Sequence, residues 1–415
     1  MERNDLGNEL RLILFCALIG AFAGVVFWLF LFAVEKGTWL VWDLLPKQIA
    51  GSVWYAILAC GLCGLAMGFL RQRFGDYPEG MEDVFARLKR TGTYPYQAMP
   101  IILVCALLPL IFGSSVGPEA GMVGVIVALC CWVGDNVRFA TARGAYLSKI
   151  GASVSLSVMF HSPLFGFFEV EEGEDSGVVD LTRLDKVVAY CVSAGAGFAS
   201  FSLLSQLFGS VMSGFPSFEV ATGAWSDILL FVPYVICGVL FGILFEVSEH
   251  GFALLGKAVP PVACEVAAGV ILGLVTGLLP AVRFSGEAQM DVLIEGGYLT
   301  YAPLAIIGVA FVKLLLTNLC IGMGLKGGHF FPLIFASVCL GMGISLVFFP
   351  GDLSHATLAA GIVAASTLAT TMKKPLAVAM LLMLCFPARM LLWTVPAAAL
   401  ATWISKKFTL PLQAE

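Results

Sequence analysis

Ser114-Ser115-Val116-Gly117-Pro118-Glu119-Ala120-Gly121 opens an uncharged run that continues to Gly134. Glycine lets backbones approach closely, and proline suits the first turn of a helix. The segment therefore predicts a helix that begins inside an apolar environment. First-turn N–H groups lack intrahelical acceptors, and the helix dipole adds partial positive charge there. Such an end holds an anion without a cationic side chain. Glu119 places a carboxylate at this end, where it acts as a tethered anion or caps its own helix. No Lys or Arg lies near it in sequence. An ionisable group inside a membrane span is costly and marks function by default.

Composition puts that segment in a bilayer. Of 415 residues, 59% are hydrophobic and 12% charged, and the mean hydropathy is +0.94. A soluble chain carries about 25% charged residues, so this one cannot cover a water-facing surface. A soluble enzyme, a nucleic-acid-binding protein and a disordered chain are excluded. The 23 basic and 28 acidic residues leave a net charge of −5, too balanced for a polyanionic partner. Twelve cysteines lie in apolar runs without metal-ligand spacing and read as small packing residues. Because the runs are continuous rather than alternating, the class is an all-α polytopic membrane protein and not a β-barrel.

Residues 12–34 and 51–70 are uncharged over 23 and 20 positions, each enough to span. No small-residue cleavage site follows the first, which reads as a retained helix. Later runs are shorter: 14 residues at 121–134 and 375–388, and 16 at 390–405. Breaks fall at Gly117-Pro118-Glu119, Ser162-Pro163, Gly327-Gly328 and Lys374-Pro375. Non-helical backbone at membrane depth survives only where protein buries it or water lines it, so broken helices point to a solute site near the midplane.

The breaks also repeat. From Arg73 of Arg73-Phe74-Gly75 it is 44 residues to Gly117 and 46 more to Pro163. From Arg283 of Arg283-Phe284-Ser285 it is 45 residues to Gly328 and 47 more to Pro375. Two homologous halves, 1–210 and 225–405, follow. With an odd number of crossings each, they insert upside down relative to one another. Arg3 and Arg11 flank the first helix and Lys406-Lys407 follow the last, so the positive-inside rule places both termini in the cytoplasm. The few residues after Lys407 lead to the expectation of no cytosolic regulatory domain.

Val116-Gly117-Pro118-Glu119-Ala120-Gly121 resembles the Gly-Arg/Lys-Glu-Gly-Pro motif of CLC chloride channels and proton/chloride antiporters. Gly328-His329-Phe330-Phe331-Pro332 resembles that family's Gly-x-Phe-x-Pro motif. Phe74-Gly75-Asp76-Tyr77-Pro78-Glu79 falls where the family carries Gly-Ser-Gly-Ile-Pro-Glu. Ser162-Pro163-Leu164-Phe165-Gly166, with Glu171-Glu172 beyond it, is similar to Ala-Pro-Leu-Ala-Gly followed by paired glutamates. The order and spacing match from about residue 10 to 405. The resemblance implies a CLC-like inverted repeat of short, tilted helices, assembled as a homodimer with one anion pathway per subunit. It implies Glu119 as the gate, and Gly75, Gly117, His329 and Phe330 as anion-binding positions, with backbone N–H groups as donors.

Several positions depart from the family pattern. Gly75 replaces the anion-binding serine, and Pro118 replaces a cation. The family's anion-coordinating tyrosine aligns on Leu391 or Arg389. The internal proton glutamate aligns on Gly173, and a one-residue slip moves it to Glu172; Glu171 and Glu172 are the proton-pathway candidates.

Other residues admit two readings. His161 is a proton relay or a packing histidine. The acidic run Glu169, Glu171, Glu172, Glu174 and Asp175 is a solvated edge with at most one or two inward members. Lys326 adds positive potential beside Gly327-Gly328 or snorkels. Phe330-Phe331 lines a pathway or packs a core. The sequence thus predicts passage of a small inorganic anion, chloride first, across the inner cell membrane, with protons as the possible second ion and no cofactor. A fluoride exporter of the same fold is the alternative, and a cation-coupled organic-solute transporter a more distant one. An intramembrane enzyme fits poorly, because the chain has no HExxH, no GxSxG in a suitable context and no paired catalytic His and Asp.

Overall fold

The computed structural model describes residues 2–46, 53–91, 93–136, 153–154, 156–160, 162–171, 183–209, 211, 216–218, 225–294 and 302–407. These residues are helical throughout, apart from turns and one isolated bridge between two glycines. Eight of the helices are long and apolar enough to cross a membrane.

In chain order the helices are α1 (Glu2–Trp39, continued by a π-helical turn, Leu40–Leu44), α2 (Val53–Phe74), α3 (Met81–Thr91), α4 (Met99–Ile111) and α5 (Glu119–Asn136). Then come α6 (Pro163–Glu171), α7 (Arg183–Phe208), α8 (Trp225–Ala258), α9 (Pro261–Leu278) and α10 (Glu287–Ile294). The last five are α11 (Pro303–Gly322), α12 (Phe330–Phe348), α13 (Leu353–Met372), α14 (Pro375–Leu382) and α15 (Leu391–Lys407). All four sequence breaks fall at helix starts: α5, α6, α12 and α14. The 375–388 run becomes an eight-residue helix and a 3₁₀ turn at Ala388–Met390, because residues 383–387 form turns.

The chain divides into two compact units, 1–37 with 77–107 and 118–214, and 38–76 with 108–117 and 215–415. In the first unit α1 and α7 run together. A Cβ on Gly20 would lie 1.9 Å from the Ser193 carbonyl oxygen, and one on Gly24 would lie 2.2 Å from that of Gly197. Ser193 and Ser200 hydroxyls donate to the carbonyls of Cys16 and Ala21, both at 2.8 Å. Lipid gives no hydrophobic drive for helix association, so small residues and serine bonds supply it.

In the second unit α2 crosses α9 antiparallel. Cβ atoms on Gly64, Gly269 and Gly273 would meet the carbonyl oxygens of Glu265, Cys60 and Ala56 at 2.1, 2.2 and 2.5 Å. Glycine recurs on this seam at the four-residue spacing that lets two backbones touch. The unit's centre is α12 and α13, where 89% of the apolar window is buried, against 39% in α2 and α9. Asp352 caps α13 by accepting from His355 N–H at 2.9 Å. Lys373 ends it in the left-handed conformation (φ 58°), and Pro375 starts α14. His355 also joins Asp227 (3.1 Å) and the Tyr234 hydroxyl (2.8 Å), tying α13 to α8.

α10 lies outside the eight spans and carries a buried Glu287, which accepts from the Ser285 hydroxyl at 3.1 Å. Burial pushes this carboxyl from 4.5 up to about 7, Ser285 opposes the shift, and Asp291 adds to it. Through that window the folded protein holds a proton that the unfolded chain has released, so stability falls as pH rises. Detergent-solubilised protein should lose stability from pH 4.5 to 7, at no more than about 1.4 kcal/mol per pH unit from this group. Glu287→Gln should flatten that slope in thermal melts, and an unchanged slope would show that Glu287 does not cause it.

Candidate functional site

The two loops that lead toward α5 and α12 share one backbone plan. In the first, Phe112 N–H donates to Leu108 (3.0 Å), Gly113 to Leu110 (3.4 Å) and Ser114 to Pro109 (2.9 Å). In the second, Met323 donates to Leu319 (3.0 Å), Gly324 to Ile321 (3.3 Å) and Leu325 to Cys320 (2.8 Å). The i→i−4, i→i−3, i→i−5 pattern is the same, and the positive φ falls on equivalent glycines, 84° at Gly113 and 102° at Gly324. The loops then pair with each other. Gly117 N–H donates to the Gly328 carbonyl and Gly328 N–H to the Gly117 carbonyl, both at 2.7 Å.

Close approach explains the glycines. A Cβ on Gly327 would lie 2.4 Å from Val116 Cγ2 and 3.0 Å from the Gly117 carbonyl oxygen. Ser115 and Thr317 hydroxyls meet at 3.0 Å, and Thr317 donates back to the Lys313 carbonyl at 2.9 Å. Ser114, Ser115 and Val116 are fully buried. Two residues beyond each bridged glycine a helix begins, with Glu119 first in α5 and Phe330 first in α12. Both are buried. His329 precedes Phe330 at the N-cap, its ring 4.5 Å from that of Phe330 and 5.3 Å from that of Phe245. The bridge lies within the second unit, two residues before the start of α12, and the free N–H groups of a helix's first turn are the kind that can hold an anion.

The other candidates stand elsewhere. Gly75 ends α2 with φ 100° and donates its N–H to the Arg71 carbonyl at 3.0 Å. Leu391 opens α15, and Arg389 is exposed in the preceding turn. Glu171 is the last residue of α6, while its side chain, Glu172, Gly173, Glu174, Asp175 and His161 lie outside the described residues. Lys326 is paired, its ammonium lying 2.5 Å from Asp76 Oδ2.

Two charged residues with no exposure at all escaped the sequence reading. Lys313 is fully buried in α11, and its ammonium donates to the carbonyls of Val282 (3.2 Å) and Phe284. Glu265 is fully buried in α9 and accepts from Arg71 at 3.2 Å. Each is the sole charged residue of its helix, and that isolation in an apolar run was the available signal.

A family model described as voltage gated chloride channel matches residues 63–406. The chain belongs to this CLC family. Among its relatives, the voltage-gated ClC-type chloride channel ClcB of Escherichia coli O9:H4 (strain HS) is 28% identical over 295 residues, 67% of this chain and 66% of the relative. ClcB of Shigella flexneri is likewise 28% identical over 294 residues, with the same coverage. The chain thus aligns with just under two thirds of these relatives' length. Among solved structures, a CLC-type fluoride/proton antiporter superposes with TM-score 0.76 at 21% identity, covering 97% of both chains. A slow cyanobacterial Cl−/H+ antiporter gives 0.79 at 18% identity, covering 96% of this chain and 94% of that one. Both share the CLC fold with this family member.

Because Gly327 has no room for a side chain, Gly327→Ala should destabilise the protein by about 1–3 kcal/mol, the usual cost of overpacking. Chemical denaturation in detergent measures this, and wild-type stability would mean that the bridge region yields freely.

Proposed function

We propose that this chain passes small inorganic anions, chloride first, along a path formed by helix N-termini, with Glu119 as its gate. The supporting observation is the reciprocal Gly117–Gly328 bridge just before α12, together with the buried Glu119 at the first position of α5. A first-turn carboxylate is a tethered competitor for the position an anion would take, and protonating it frees that position. Family membership and the named activities of the ClcB relatives support the same reading. The two halves, 1–210 and 225–405, are read as an inverted repeat, with both termini in the cytoplasm and the protein in the inner membrane as a homodimer. The matching loop geometry around Gly113 and Gly324 supports the repeat. Transport rather than enzymatic chemistry follows. Fluoride is the alternative ion, favoured by the loss of a hydroxyl at Gly75 and by the fold shared with a fluoride/proton antiporter.

In liposomes, Glu119→Gln and Glu119→Ala should each abolish the pH dependence of chloride or fluoride efflux, and mixed dimers with wild type should show additive flux. A pH profile retained in both variants would remove Glu119 from the gate.

Proton coupling should be weak or absent. Antiport needs a second titrating station, and strict spacing puts Gly173 there. An imposed anion gradient should therefore drive little proton movement into sealed vesicles. Stoichiometric pumping that Glu172→Gln eliminates would instead make Glu172 the second station.

A further inference from the structure

Four charged side chains meet where α2 ends and the loop toward α12 begins. Arg71 Nε lies 3.0 Å from Asp76 Oδ1, and its Nη2 lies 3.4 Å from Oδ2. Arg71 Nη1 lies 3.2 Å from Glu265 Oε1, and Lys326 Nζ lies 2.5 Å from Asp76 Oδ2. One acid is sealed and the other is not. The Glu265 side chain has no exposure, and a Cβ on Gly324 or Gly68 would come within 2.5 or 2.8 Å of its carboxylate oxygens. Asp76 is 48% exposed, with Arg71 at 25% and Lys326 at 23%. Glu265 therefore fixes Arg71 and cannot leave, whereas Asp76 can swing into water.

We propose that Asp76 is a second tethered anion, a carboxylate latch that occupies the Arg71–Lys326 cation pair and is displaced by each permeating anion. With Asp76 in place, two cations face two carboxylates and the cluster is neutral. With Asp76 out, Arg71 and Lys326 face Glu265 alone, leaving one net positive charge open to solvent. Exposed ion pairs are weak and exchange readily with dissolved ions, as a latch opened by every passing ion requires. The position suits a gate. Asp76 follows Gly75, the residue aligned with the family's anion-binding serine, and Lys326 precedes Gly327-Gly328 on the way to Phe330. Arg71 and Arg73 in the last turn of α2 mark this end as cytoplasmic under the positive-inside rule. The latch thus supplies an inner constriction where the family's tyrosine aligns on Leu391 or Arg389. This inference rests on the anion-passage reading and assigns that path its inner gate.

The test is chloride and fluoride efflux from liposomes, with calorimetric titration of each ion into the detergent-solubilised protein. Asp76→Asn should speed efflux at low anion concentration and tighten binding, each by roughly fivefold, as expected for losing one exposed ion pair. Lys326→Met should slow efflux and weaken binding. Wild-type rates and affinities in Asp76→Asn, beside normal wild-type flux, would overturn the latch and leave the anion path intact. Loss of flux in both variants would make the pair a structural clip and equally overturn it. Absence of anion flux and binding in the wild type would remove the anion-passage reading itself, and the latch with it.

Discussion

The reciprocal hydrogen bonds between Gly117 and Gly328 are the constraint around which the second unit is built. Two stretches of non-helical backbone run through the protein interior, and each amide left unsatisfied there costs several kcal/mol, about 2–7 on transfer scales. Pairing the loops satisfies one donor and one acceptor on each with no side chain. It also demands contact distance, and a Cβ on Gly327 would lie 2.4 Å from Val116. Gly328 lies two residues before α12, so within the second unit the bridge fixes where that helix starts. Movement of either loop alone would break both bonds.

Charge inside this apolar protein is handled by the same economy. Lys313 has carbonyl oxygens of Val282 and Phe284 as its partners. Arg283 donates to the Thr276 carbonyl at 3.1 Å and lies 3.9 Å from the centre of the Trp42 ring. A buried carboxylate partner would bring its own desolvation cost, whereas backbone carbonyls near helix ends and loops are already dehydrated. Both cations thereby also hold the 280–286 turn, where Phe284 adopts φ 61° and Gly286 φ 113°.

Local chemistry was legible in the sequence, and long-range pairing was not. Glycine and proline at residues 117–118, 162–163, 327–328 and 374–375 dictate where helices begin, because their effects act within a turn. Equal spacing of breaks can survive when side chains change, and the loops before Ser115 and Lys326 do share a bonding plan. Glu119 could be placed at a helix start from its neighbours alone. By contrast, the partner of Lys326 is 250 positions away at Asp76, and that of Arg71 is 194 away at Glu265. No periodicity encodes such pairs. The glycines of α2 and α9 carry no local signal of their role, because only the crossing of the two helices brings Gly64 onto Glu265 and Gly269 onto Cys60.

The departures from the family pattern make electrostatic sense together. Pro118 removes a cation from the first turn of α5, and Gly75 commits its N–H to the Arg71 carbonyl. A path stripped of both would rely on helix dipoles, whose influence fades within the first turn. Lys326 and Arg71 restore full charges at the end of α2, but an uncancelled pair would trap an anion rather than release it. Conduction requires binding strong enough to admit the ion and weak enough to let it leave. In the proposed latch, a sealed Glu265 beside Arg71 and an exposed Asp76 that can leave the pair would meet both conditions with four side chains.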